Sequence, residues 1–147
     1  MRLELRDYQI KTITDIRNAY LSNYRAPLLV SPCGSGKTVE FSYIAENAAR
    51  KQKRILTLVH RRELLLQSSE MLDELGVEHG LIAPKYKQTD SHVQIGSVQT
   101  VVNRLEKMEY PDLIIIDECF PAGTMIDGKP IESLKVGDEV TAFSHFG

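Results

Sequence analysis

The sequence predicts an α/β fold built on a parallel sheet, and three observations lead there. Short apolar runs at Ala26–Ser31, Arg54–His60, Val93–Ser97 and Leu113–Ile116 are separated by stretches of helical length. Strands that alternate with helices pair in parallel, because each crossover returns the chain to the same edge. Next, Ser31-Pro-Cys-Gly-Ser-Gly-Lys-Thr38 sets a glycine-rich turn between an apolar run and a helix. Finally, Asp112-Leu-Ile-Ile-Ile-Asp-Glu118 is an apolar run that ends in two carboxylates. A buried parallel strand of this kind delivers acids to the carboxyl edge of a sheet, where ligands bind in open α/β folds.

The elements follow in order. Arg6–Tyr20 reads as a helix with Asp7 as N-cap and Ile10, Ile13, Ile16 and Tyr20 as its apolar stripe. Ala26–Ser31 is expected to be the first strand, Cys33–Gly36 a turn, and Lys37–Gln52 the second helix. Arg54–His60 is the second strand, and Glu63–Leu75 is a helix that stops at Gly76. Val93–Ser97 is the third strand, a short helix spans Val98–Lys107, and Leu113–Ile116 is the fourth strand. After Glu118 the pattern changes. Met125-Ile-Asp-Gly-Lys-Pro-Ile131 carries an Asp-Gly hairpin signal, and Leu134–Val140 alternates apolar and polar residues around Gly137-Asp138. The tail from Cys119 reads as small β-structure too short to fold alone.

Composition narrows the class without choosing a function. The chain has 147 residues, 42% hydrophobic and 26% charged, ordinary values for a water-soluble globular domain. A net charge of −2 gives no global attraction to a polyanion, so any nucleic acid must be held by local basic and backbone groups. No run approaches the roughly 18 apolar residues of a membrane helix, and the start Met-Arg-Leu-Glu-Leu-Arg6 lacks the apolar core of a signal peptide. Cys33 and Cys119 are too far apart to suggest a metal pair or a disulfide framework. A cytoplasmic location without a membrane partner is expected.

The turn at Ser31–Thr38 has the chemistry of a phosphate cradle. Glycines let the backbone approach an anion, amide hydrogens point inward, and the helix dipole adds favourable potential. Ser31, Pro32, Cys33, Gly34, Ser35 and Gly36 would line the loop, Lys37 would reach the β/γ-phosphates, and the Thr38 hydroxyl would ligand Mg²⁺. Ser31 stands where the strict pattern has glycine. At the end of the last apolar run, Asp117 suits Mg²⁺, held through water, and Glu118 suits the base that activates a water molecule. ATP with Mg²⁺ is the expected cofactor pair. His60, His79, His92 and His145 show no ligand spacing.

With these motifs in order, residues 1–118 resemble the first RecA-like domain of superfamily 2 helicases, particularly DEAD/DEAH-type enzymes related to the translocating subunits of restriction enzymes. Leu5-Arg-Asp-Tyr-Gln9 looks like the adenine-reading motif, which implies Gln9 on the base edge with Arg6 or Tyr8 nearby. Ser31–Thr38 resembles motif I, and His60-Arg-Arg-Glu-Leu64 through Gln67 resembles motif Ia, which implies Arg62 near a nucleic-acid backbone. Gly96-Ser-Val-Gln-Thr100 resembles motif Ib, with Gln99 and Thr100 implied as further contacts to DNA or RNA. Asp117-Glu-Cys119 looks like the start of a D-E-C-H box. The resemblance implies a parallel RecA-like sheet flanked by helices, a helicase ATPase, and a second domain that completes the ATP site.

The box has no histidine, because Cys119 is followed by Phe120-Pro121. Cys119-Phe-Pro-Ala-Gly-Thr124 and Ile131–Val140 resemble the first segments of an intein, a Hint-type protein-splicing element. That resemblance implies two parts, an N-extein over 1–118 and a short β-rich Hint segment over 119–147. Cys119 is then the splicing nucleophile, whose thiolate attacks the Glu118 carbonyl. A downstream half, on the same or a second polypeptide, would restore Asp-Glu-Cys-His on splicing.

Overall fold

Aliphatic runs become central strands when neighbours on both sides accept their amides and both faces are covered. The structure is a computed structural model and describes residues 4–31 and 34–117, together with the backbone alone of 125–126 and 129–130. In chain order its first unit contains α1 (Asp7–Leu21), α2 (Lys37–Arg50), β1 (Ile55–Val59), α3 (Arg62–Glu74), β2 (His79–Ile82), β3 (Val93–Ser97), α4 (Val98–Arg104) and β4 (Leu113–Ile116). A 3-10 turn at Leu105–Lys107 closes α4. The four strands form one sheet in the order β2-β3-β1-β4, with every neighbouring pair parallel.

Register decides which side chains share a core. Ile55 stands beside Val93 and Leu113, and Thr57 beside Ile95 and Ile115. Side chains alternate across a sheet, so one face gathers Ile55, Val59, Val93, Ile95 and Ile115 against Ala45 of α2 and Leu65 and Leu72 of α3. The other face gathers Leu56, Ile82 and Val101 beneath α4. A Cβ at Gly96 would lie 2.3 Å from a Val101 methyl, so α4 can pack this closely only over a glycine. Asp112 ties β4 to β1. Its carboxylate accepts the Arg54 amide at 2.8 Å and its own amide donates to the Arg54 carbonyl. That backbone hydrogen bond holds the Asp112 carboxyl below the usual carboxylate range, helped by Lys53.

The structure departs from expectation at several places. Residues 26–31 form no strand, and Leu28 and Val30 are 67% and 78% exposed. They pair with no strand among the described residues, so apolar character alone does not make them one. β2, which was not expected, is a four-residue strand whose histidine and glycine weaken the pattern. α2 ends at Arg50 because Gln52 adopts φ +56, outside helical geometry. The N-cap of α1 is Arg6, and its amide donates to Gln9 Oε1 at 3.0 Å, the reciprocal half of a capping box.

The proposed α1 stripe is also rotated. Residues three apart on a helix slip about 60° each step, so Ile10 and Ile16 cannot share a face. Ile10 and Tyr20 are exposed, while Gln9 is the buried residue and Ile13 and Ile16 are half-buried.

The chain divides into two compact units, Met1–Asp117 and Glu118–Gly147. In the second, the backbone of Met125–Ile126 pairs antiparallel with Lys129–Pro130, as the Asp-Gly signal anticipates. The alternating segment at Leu134–Val140 lies outside the described residues. Among the described residues, no helix is long and apolar enough to cross a membrane.

Candidate functional site

Connection lengths bring the candidate residues to one edge of the sheet. α2 packs on β1 and ends at Arg50, shortly before β1 begins at Ile55. A helix of 14 residues is about 21 Å long, so α2 must start at the opposite, carboxyl edge, with Lys37 and Thr38 in its first turn. α3 begins at Arg62, immediately beyond the end of β1 at Val59, and α4 begins at Val98, directly after β3. Asp117 follows β4, and its amide donates to the Leu58 carbonyl at 3.1 Å. Lys37, Thr38, Arg62, Gln99 and Asp117 therefore all stand at the carboxyl edge.

The loop before α2 has the backbone a cradle needs. Gly34 and Gly36 adopt φ +78 and +86, the left-handed region where a side chain is strained, and a Cβ at Gly36 would also press on Gln9. The Ser31 and Ser35 hydroxyls are hydrogen-bonded across the loop. α1 holds the same segment from outside. The Tyr8 hydroxyl donates to the Ser35 carbonyl at 2.7 Å, and Gln9 Nε2 reaches the Gly36 carbonyl at 3.5 Å. The Gln9 carboxamide is thus turned onto the protein's own backbone at both ends, while Arg6 is exposed beside it. Lys37 and Thr38 are half-buried. Pro32, Cys33, Glu118 and Cys119 lie outside the described residues.

Glu40 is a group the motifs did not reveal. It lies three residues beyond Lys37 on α2, is 1% exposed, and its Oε2 has no hydrogen-bond partner among the described residues. Burial pushes its carboxyl above the usual range, and the Lys37 charge draws it partly back. In sequence, a glutamate in a first helical turn looks like an ordinary complement to the helix dipole, so nothing local signalled its burial. Tyr8, which with Arg6 is one of two residues expected near the base, is a direct link from α1 to the loop. Of the motif Ib pair, Gln99 is exposed and Thr100 is buried, so only Gln99 presents its side chain outward. Arg62 is exposed at the head of α3. His79 bonds to Ser69 Oγ at 2.7 Å and the Val77 carbonyl at 2.9 Å, partners that explain it as a structural residue.

The profile of the family described as "Type III restriction enzyme, res subunit" matches residues 2–133. Among individual proteins, the chain is 35% identical over 128 residues to the putative ATP-dependent helicase IRC3 of Saccharomyces cerevisiae, covering 78% of this chain and 19% of that protein. It is 36% identical over 91 residues to a 51.5 kDa protein of a Lactococcus phage (isolate 7-9), covering 62% of this chain and 18% of the phage protein. Among solved structures, a nuclease-deletion mutant of the Type ISP restriction-modification enzyme LlaGI, in complex with a DNA substrate mimic, superposes with a TM-score of 0.58 at 20% identity. That superposition covers 79% of this chain and 15% of LlaGI, and it shows a shared fold. The chain spans less than a fifth of each of these relatives. The parallel sheet, the glycine-rich loop and the match over residues 2–133 lead to one assignment: this chain belongs to the family of the type III restriction enzyme res subunit.

Proposed function

We propose that residues 1–118 are the nucleotide-binding front part of an ATP-dependent helicase or translocase that works on DNA or RNA. The observation that carries this reading is the convergence of the loop at 34–36, the start of α2 and Asp117 on one sheet edge. The residues present suit Mg-ATP: two left-handed glycines open the backbone, and an ammonium and a hydroxyl follow at the helix start. Mg²⁺, when bound, would supply charge neutralisation to the phosphates. Lys37 would set its ammonium on the phosphates, Thr38 and Asp117 would hold the metal, and Glu118 would orient the attacking water and take its proton. Arg62 and Gln99, at the heads of α3 and α4, hold the sugar–phosphate backbone without needing a basic domain.

Nucleotide titration of the full chain tests this. Lys37→Ala removes a charged hydrogen-bond donor, so the affinity for Mg-ATP falls about 10- to 100-fold. Unchanged affinity overturns the phosphate-loop assignment.

A second reading concerns the tail, which we propose is the N-terminal segment of an intein. Cys119-Phe-Pro-Ala-Gly-Thr124 and the antiparallel pairing of 125–126 with 129–130 favour it. The family match, which runs through the junction to residue 133, favours the competing reading of a divergent helicase continuation. In the splicing reading, Cys119 Sγ attacks the Glu118 carbonyl, the amide becomes a thioester, and the freed amine takes a proton. The chain's partner is then the C-terminal intein–helicase half, in cis or in trans. Coexpression with that half gives a ligated product, and Cys119→Ala abolishes it. A ligated product that persists in Cys119→Ala refutes splicing.

A further inference from the structure

We infer that Tyr8 is a positioning residue for the phosphate loop, its hydroxyl holding the Ser35–Gly36 peptide so that the Gly36 amide is presented to a polyphosphate. The inference rests on the phosphate-loop reading of residues 31–38. Tyr8 donates to the Ser35 carbonyl at 2.7 Å, linking groups 27 residues apart. In a trans peptide the carbonyl and the next N–H point in opposite directions. Tying the Ser35 carbonyl to α1 therefore turns the Gly36 N–H away from α1.

The next peptide is held in a similar way. The Gly36 carbonyl accepts the Val39 and Glu40 amides at 3.0 and 3.2 Å and is reached by Gln9 Nε2, so the Lys37 N–H points out of the helix start. Two successive amides are thereby directed from carbonyls that are already occupied. Successive amides in alternating backbone conformations form an anion-binding concavity, and the left-handed Gly34 and Gly36 flank Ser35 in this manner. Tyr8 is 43% exposed, so the hydroxyl can be removed without opening a core.

The test compares two ligands, ATP and inorganic tripolyphosphate, by calorimetry on the full chain, with amide NMR of the unliganded protein. In Tyr8→Phe both ligands weaken by the same factor, about three- to tenfold, and the melting temperature is unchanged. The Gly36 amide resonance shifts before any ligand is added, while that of Gly76 does not. Weakening of ATP alone means the phenol reads the base and overturns the tether, as does an unmoved Gly36 resonance or unchanged affinity for both ligands. Lys37→Ala separates the two levels. If it loses both ligands while Tyr8→Phe loses neither, the tether alone falls. If it binds both as tightly as the wild type, or if the wild type binds neither, the phosphate-loop reading falls and the tether with it.

Discussion

The sheet and the segment before it respond differently to the same kind of sequence. Val93, Ile95 and Ile82 are fully buried, while Leu28 and Val30, in an equally apolar run, are 67% and 78% exposed. The difference lies in neighbours. β1 and β3 each have a strand on both sides and helices over their faces, whereas residues 26–31 pair with no strand among the described residues. An apolar run is thus a request for a partner, and among the described residues it is a strand only where it is paired. The loop that follows is held from the other direction, by Tyr8 and Gln9 of α1.

Substitutions can break or sharpen this contrast. The largest effect is expected at Ile95→Ala, which empties a completely buried site between β3 and α3 and costs about 2–5 kcal/mol by urea unfolding. Glu40→Gln comes next and acts in the opposite direction. The folded-state pKa of Glu40 is raised, so the folded protein binds its proton more tightly than the unfolded chain does. That cost is absent below the ordinary glutamate pKa and grows as pH rises through the raised one. Glu40→Gln therefore stabilises the chain at pH 8 by about 1–2 kcal/mol and leaves it near wild type at pH 4, which denaturant midpoints at the two pH values would show. The smallest effect is Val30→Ala, within about 0.5 kcal/mol of wild type. A loss at Val30 as large as that at Ile95 would mean that residues 26–31 are packed after all, and the contrast would collapse.

Much of the candidate site was legible because its signals are short and local. Gly34-Ser-Gly-Lys-Thr38 between an apolar run and a helix, and Asp117 at the end of Leu113–Ile116, need only a few adjacent residues to be read. Four features escaped because they depend on distant residues. β2 is only four residues long, and it is β3 alongside that makes it a strand. The three-residue spacing of the expected α1 stripe drifts around the helix, and the buried Gln9 takes the place expected for Ile10. Thr100 fits a nucleic-acid motif by position, yet α4 turns it inward over β3. Glu40 looked like a surface helix residue until packing removed its water.

Local order in the chain determined the α/β class, the glycine loop and the acid at a strand end, since alternation, turn chemistry and run length are encoded within a few residues. Only the tertiary structure decided the strand order β2-β3-β1-β4, the link from Tyr8 to Ser35 and the buried carboxyl beside Lys37. Each of those is a contact between residues far apart in the chain. Such contacts depend on which surfaces the whole fold brings together, and no single segment carries that information.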